Sequence, residues 1–271
     1  MAYAGRFLLG KLNADEQPEI AAQLSQMFGV RSIPFCVLFD RGQPVDGFVG
    51  ALPEAEIRKF LDRHLPSEDE LAAEEEAEDA QALAAEGDID AALAKLQQAV
   101  AIDPGNDAMR GDYVKLLLEM NRVADARRAY QPIAAKAVAD ARIAALGHWL
   151  AACEKAAAAR PADQLAAAIA ANKRDFDARF ELAQTLFAAR RFTQSMDELL
   201  EIVMRDKAWN GELARKTYVA VLEVMSKPAP KPAATAAEAA KGKLEVTGKS
   251  AVVSADPVVD QYRRKLSMAL F

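Results

Sequence analysis

The sequence contains only two cysteines, Cys36 and Cys153, which lie far apart in the chain. Two distant cysteines do not form a disulfide framework, and no Cys-x-x-Cys pair is present to supply a reactive dithiol. His64 and His148 are the only histidines, and neither has a cysteine or a second histidine at metal-ligand spacing. We therefore predict no catalytic residues, no bound metal and no cofactor.

Basic charge and long apolar runs are also scarce. The 34 lysines and arginines are outnumbered by 40 aspartates and glutamates, which gives a formal net charge of −6. This balance offers no basic surface for nucleic acid. No stretch approaches the roughly 18 uninterrupted apolar residues of a membrane span, and the first residues do not resemble a secretory signal. We expect a cytoplasmic protein that binds neither nucleic acid nor membranes.

Aromatic residues make up only 7% of the chain, although hydrophobic residues reach 52% because alanine is abundant. An alanine-rich, charged and aromatic-poor composition is typical of close-packed helices. Acidic residues are concentrated in residues 67–90, which contain no lysine or arginine. We interpret this stretch as the solvated face of a helix.

Residues 1–66 predict a small α/β segment. The apolar run in residues 6–13 predicts a buried parallel strand, and residues 17–30 predict a short amphipathic helix. Residues 32–40 and 44–50 read as two strands joined at a glycine turn, which predicts an antiparallel hairpin. A proline then opens a second amphipathic helix over residues 53–65.

Both cysteines are candidate redox thiols. Cys36 lies within an apolar strand and Cys153 within an alanine-rich helix, so we expect both to be buried. Burial raises the pKa of a thiol and makes it unreactive. The alternative is a single-thiol site that forms a mixed disulfide with another protein.

The most regular feature of the chain is an internal repeat. Equivalent apolar positions recur at spacings of 34, 35 and 34 residues: Ile89, Val123, Ala158 and Phe192. Small residues keep the same register: Ala92, Ala126, Pro161 and Ser195. A period near 34 in helical sequence is typical of the tetratricopeptide repeat, whose small residues let two helices approach closely. We predict four helix pairs over residues 69–207, with the alanine-rich third pair as the weakest.

Two further helices are predicted after the repeats. Residues 212–225 and 257–271 each carry an apolar face, and we expect them to pack as an antiparallel hairpin that closes the array. Residues 226–255 between them are rich in proline, alanine and lysine, which is typical of an exposed linker. The predicted domains are thus 1–66, 67–225, 226–255 and 256–271.

The first domain resembles the C-terminal half of thioredoxin, through Asn13-x-Asp15, the Ile33-Pro34 pair, the glycine hairpin and Gly50. The resemblance implies a cis peptide bond at Ile33-Pro34 and assigns peptide binding to Ile33 and Pro34. The family's active-site helix has no counterpart among these 271 residues. We therefore expect no disulfide reductase activity from this chain.

The combination of this segment, a repeat array and a terminal helix resembles the bacterial YbbN/CnoX family, the chaperedoxins. The resemblance implies an ATP-independent holdase that binds unfolded clients and passes them to GroEL, and possibly DnaK. It assigns partner docking to the terminal helix, at Tyr262, Arg263, Arg264, Leu266, Leu270 and Phe271. The alternatives are a thiol oxidoreductase with a lost or borrowed dithiol, and a repeat scaffold for one native partner.

Overall fold

A computed structural model of the chain describes residues 3, 5–30, 32–40, 42–226 and 256–270. These residues form two compact units, with the boundary after Leu71. Unit 1 contains the strands and unit 2 is built from helices, which confirms the predicted fold class. The sequence prediction placed the boundary slightly earlier, after residue 66. Apart from Ser226, the predicted linker 226–255 lies outside the described residues.

Unit 1 consists of a β-hairpin with one helix before it and one helix after it in the chain. In chain order these are α1 (Pro18–Phe28), β1 (Phe35–Asp40), β2 (Gln43–Val49) and α2 (Glu54–His64). Pro18 occupies the first turn of α1, where a missing N–H costs nothing, and Gly29 ends the helix at φ 67°. β1 and β2 pair antiparallel, and Gly42 adopts φ 78° in the turn between them. The predicted helices and hairpin are confirmed.

The predicted strand over residues 6–13 is wrong. Residues 7–13 have no regular secondary structure, and the leucine side chains there project into solvent, Leu8 being 97% exposed. A strand needs a neighbour to satisfy its backbone N–H and C=O groups. The sheet formed by the described residues contains only β1 and β2, so this segment has no strand to pair with.

The core of unit 1 is small. Phe60 on α2 is the one buried hydrophobic residue among the described residues of this unit, and its ring meets Phe48 edge-on at 5.1 Å. Polar contacts supplement this core. His64 Nε2 lies 2.6 Å from Asp46 Oδ2, and the Gly47 N–H and the His64 ring together lower the pKa of Asp46. Unit 1 therefore has little apolar burial to hold it together.

Unit 2 contains the four predicted helix pairs, the first of which begins at Glu68, just before the boundary at Leu71. They are α3 (Glu68–Glu86) with α4 (Ile89–Ile102), α5 (Asp107–Glu119) with α6 (Val123–Tyr130), α7 (Ala141–Ala156) with α8 (Ala162–Ala171), and α9 (Phe176–Ala188) with α10 (Phe192–Arg205). A 3₁₀ helix, Gln131–Val138, continues α6. The repeat period read from the sequence therefore corresponds to real helix pairs.

The turn inside a repeat has a common construction in three of the four pairs. Gly87, Asn121 and Arg190 occupy the same position after the first helix and have φ values of 91°, 57° and 59°. The next residue's N–H then donates back to the helix, as from Asp88 to the Leu83 carbonyl at 2.9 Å. This left-handed ending satisfies carbonyl groups that the helix end would leave without donors.

The third pair departs from this pattern. Ala157 ends α7 in the right-handed region, and α8 spans only 10 residues. Leu165 and Ile169 of α8 pack with Ala178 in a small cluster separate from the main core. Pro161 is exposed, whereas its equivalents in the other pairs are fully buried. We still expect this pair to be the part of the array that opens first.

The last two helices are α11 (Trp209–Met225) and α12 (Pro257–Leu270). They run antiparallel as predicted, because Tyr218 Oη donates to the Tyr262 carbonyl at 2.8 Å while the Leu270 carbonyl accepts from Lys207 Nζ. The sequence did not reveal that α11 also packs against α7, while α12 rests on α10 and α11. Helix α11 is thus central to unit 2 rather than a cap at its end.

Candidate functional site

The hairpin of unit 1 presents the residues assigned to peptide binding. The Ile33-Pro34 bond is cis, as the resemblance to thioredoxin implied, and the Ile33 side chain is exposed. The Pro34 carbonyl accepts a 2.7 Å hydrogen bond from the Gly50 N–H, which ties the start of β1 to the end of β2. Beside it lies a largely apolar hollow of about 370 Å³, lined by Phe28 and the two strands.

Cys36 is exposed, so the expectation that it lies in a core was wrong. It stands opposite Phe48 in the hairpin, and α2 covers Phe48 through Phe60. The described sheet has only two strands, so no further strand pairs with the outer edge of β1, the strand that contains Cys36. The position opposite Val37 must be a glycine, since a Cβ on Gly47 would approach the Cys36 carbonyl oxygen to 2.6 Å.

Cys153 is buried near the end of α7, as expected. Burial, with a smaller contribution from the charge of Glu154, raises the pKa of its thiol to about 11. At pH 8 only on the order of one molecule in a thousand then carries the thiolate. Cys153 is therefore unsuited to thiol exchange.

We predict that the folded protein reacts with one equivalent of a thiol reagent at pH 8. Cys36 is exposed and should be modified, whereas Cys153 should react only after unfolding in denaturant. Mass spectrometry of the alkylated protein, with Cys36→Ser as the control, identifies the labelled residue. Rapid labelling of Cys153 in the folded protein would contradict its placement in the core.

Unit 1 exposes many large apolar side chains. We call the following set the unit 1 apolar surface: Phe7, Leu8, Leu9, Leu12, Ile20, Met27, Ile33, Phe39, Val45 and Val49. Unit 2 exposes fewer in a much longer stretch of chain: Val138, Met204, Val219, Val258 and Met268. Where such side chains lie next to one another, they mark a surface that binds other proteins.

The residues assigned to partner docking on α12 divide into two groups. Tyr262 and Leu266 are buried, and Tyr262 Oη donates to Asp197 on α10 at 3.0 Å. This differs from the sequence prediction, because both side chains hold α12 in place and are not available to a partner. Arg263 and Arg264 are exposed, and Leu270 is half-buried. Phe271 lies outside the described residues.

Unit 2 contains a second candidate site that the sequence reasoning missed. We call it the α7–α11 cleft: it measures about 480 Å³ and is lined by Tyr130, Ala137, Val138, Ala144, Gly147, His148, Ala151, Lys155, Gln184, Leu213 and Thr217. The sequence predicts core or groove packing for His148, and the structure places it half-buried in this lining, where burial and the nearby charge of Lys216 lower its pKa. No sequence signal pointed to the cleft, because it depends on α11 packing against α7.

Within the described ranges, no group of three histidine, cysteine, aspartate or glutamate side chains is placed to hold a metal ion. None of the helices in these ranges combines the length and apolar character that a membrane crossing requires.

Comparison with known proteins agrees with both units. Two models described as tetratricopeptide repeat match residues 83–150 and 155–237. Thioredoxin from Chlorobaculum thiosulfatiphilum is 44% identical over 63 residues, which is 23% of this chain and 55% of that protein. Thioredoxin 1 from Nostoc sp. is 41% identical and thioredoxin from Haemophilus influenzae 40% identical, each with the same coverage. The chain spans about half the length of these curated relatives.

The fold, the cis-proline hairpin and these similarities together define a thioredoxin-like segment followed by tetratricopeptide repeats. This is a YbbN-like architecture, in agreement with the resemblance found in the sequence. Tetratricopeptide repeats are arrays that bind other proteins, since stacked helix pairs present long surfaces.

Proposed function

We propose that this protein is an ATP-independent holdase of the cytoplasm, which binds unfolded polypeptides and passes them to GroEL and possibly DnaK. The observation that carries the proposal is the unit 1 apolar surface, where Leu8 is 97% and Met27 is 68% exposed. Unfolded clients expose apolar segments, and their burial against such a surface is favourable by about 25 cal/mol per Å².

The holdase proposal predicts that the protein suppresses light scattering by a heat-denatured model client such as citrate synthase. We expect the triple variant Leu8→Ser, Leu9→Ser, Met27→Ser to lose most of this suppression, because it removes apolar area without touching the core. Met268→Ser is the matched control, since Met268 on α12 is 73% exposed but belongs to unit 2. Equal suppression by the triple variant and the control would contradict the proposal.

Disulfide reduction is the enzyme alternative, and we propose that the chain lacks this activity. Cys36 is exposed, but the only other cysteine is buried and cannot resolve a mixed disulfide. Reduction of insulin in the presence of dithiothreitol tests this point. A rate above the uncatalysed one that disappears in Cys36→Ser would favour the oxidoreductase reading.

Docking to a chaperonin is the second step of the proposed function, and the exposed arginines of α12 are its candidates. Truncation after Lys265 would remove the buried Leu266, so it would unfold the helix as well as remove its end. Arg264→Glu is the cleaner variant, because Arg264 is exposed and its change leaves the core intact. Co-purification with GroEL should fall in Arg264→Glu and persist in Lys173→Glu, an exposed control site on unit 2.

A further inference from the structure

Thr217 in the α7–α11 cleft has an unusual environment. Its side chain is 2% exposed, and its Oγ1 atom has no hydrogen-bond partner among the described residues. A helical threonine or serine can donate to the carbonyl four residues earlier, as Thr185 and Ser226 both do in this protein. Thr217 does not. A buried hydroxyl without a partner lowers stability, so its position at a cleft points to a ligand.

Three more polar side chains line the same cleft without a partner among the described residues. His148, Lys155 and Gln184 make no hydrogen bond or ion pair within the described part of the chain. By contrast, Arg142 of α7, the helix that carries His148 and Lys155, is paired with Asp112. The cleft therefore offers several hydrogen-bonding groups that the folded protein itself does not use.

The charge of the cleft is positive although the chain as a whole carries −6. Lys155 lies in its lining, and Lys216 is close enough to lower the pKa of His148. No aspartate or glutamate is among the lining residues. A cationic site with a neighbouring hydroxyl is complementary to a carboxylate.

The walls of the cleft are apolar. Val138 is 98% exposed at its edge, and Leu213 and several alanines complete the lining. A volume of about 480 Å³ lies within the usual range of ligand sites, and the cleft is open rather than enclosed. An open cleft accommodates a chain that continues at both ends.

We propose that the α7–α11 cleft binds an extended segment of a partner protein that carries one aspartate or glutamate between apolar residues. The carboxylate accepts hydrogen bonds from Thr217 Oγ1 and Lys155, and the flanking apolar side chains pack on Val138 and Leu213. This inference goes beyond the proposed function and is independent of the unit 1 apolar surface.

The test is fluorescence anisotropy on the full chain with three labelled twelve-residue peptides of leucine, alanine and serine. The first has a central glutamate and an amidated C-terminus, the second replaces that glutamate with glutamine, and the third adds a free C-terminal carboxylate to the glutamine peptide. We expect the glutamate peptide to bind about tenfold more tightly than the glutamine peptide, because a hydrogen bond to a charged group is lost in the latter.

Variants of the cleft make the test specific. Lys155→Gln should weaken binding of the glutamate peptide about tenfold and Thr217→Val about fivefold, whereas Lys173→Gln outside the cleft should leave it unchanged. Thr217→Val should keep or raise the melting temperature, because it removes a buried hydroxyl without a partner. A purely structural Thr217 would instead show reduced stability and unchanged affinity.

Three outcomes would overturn the proposal. Equal affinity for the glutamate and glutamine peptides would show that the cleft does not recognise a carboxylate. Tighter binding of the peptide with the free C-terminus would assign the site to chain ends. Tighter binding after deletion of residues 229–253 would show that the chain's own segment is the occupant. Light scattering on the same preparations reports separately on the holdase proposal, so failure of one is distinguishable from failure of the other.

Discussion

Replacement of Trp149 by alanine should destabilise unit 2 by about 3–5 kcal/mol, the range observed when a large buried aromatic side chain is removed. Trp149 on α7 is fully buried, and its ring stacks on Phe187 at 6.0 Å and meets Phe192 edge-on at 5.9 Å. These rings join α7, α9 and α10 at the point where the third repeat is poorest in large residues. Calorimetry should show a melting temperature lowered by roughly 10–15 °C.

Two variants separate the possible causes of this loss. Trp149→Phe retains an aromatic ring and removes an indole N–H that has no hydrogen-bond partner among the described residues, so it should lose only about 1–2 kcal/mol. His148→Ala, at the adjacent half-buried position, should have a still smaller effect. A melting temperature unchanged in Trp149→Ala would mean that these helices do not share one core.

The second large effect concerns the difference in stability between the units. Unit 1 should open with a free energy of at most about 3 kcal/mol, because Phe60 is its one buried hydrophobic residue in the described ranges and burying such a side chain contributes about 1.5–3 kcal/mol. Helix α4 belongs to the main core of unit 2 through Leu93 and Leu96. Unit 1 should therefore open while unit 2 stays folded.

Amide hydrogen exchange followed by mass spectrometry measures this difference directly. We expect protection in the hairpin 35–49 to be no more than about a hundredfold, and protection in α4 (Ile89–Ile102) to be at least another hundredfold higher. Equal protection in the two segments, at a protein concentration low enough to prevent self-association, would show that unit 1 is stabilised by contacts beyond its small core. The same experiment reports on α8, the thinly packed helix of the third pair.

The repeat array was predictable because its information is local and periodic. Small residues at fixed spacing mark the close approach of two helices, and Gly87 marks a turn that requires positive φ. Asn121 and Arg190 fill the same left-handed position without being glycines, so composition alone would not have identified all three turns. The contact between α7 and α11 was not predictable, since no local pattern specifies which distant helix covers an apolar face.

Unit 1 shows where a sequence pattern becomes ambiguous. The apolar run at Phe7-Leu8-Leu9 has the composition of a buried strand, but a strand also depends on a partner that the pattern does not encode. The missing partner strand also explains why Cys36 is exposed, although the alternation of apolar residues in its strand predicted a buried position. The candidate cleft was missed for a different reason, because the missing partner of Thr217 is visible only once its neighbours are placed.

Unfolded clients are proposed to bind to the unit 1 apolar surface. Site-specific photo-crosslinking tests this claim most directly, with a photoreactive phenylalanine derivative at position 8 in one variant and at position 268 in another. Both native side chains are highly exposed, so both probes are accessible. Irradiation during heat denaturation of citrate synthase should crosslink the client strongly from position 8 and only weakly from position 268, and neither probe should crosslink the native client. Equal crosslinking from the two positions, or strong crosslinking from position 268 alone, would contradict the claim.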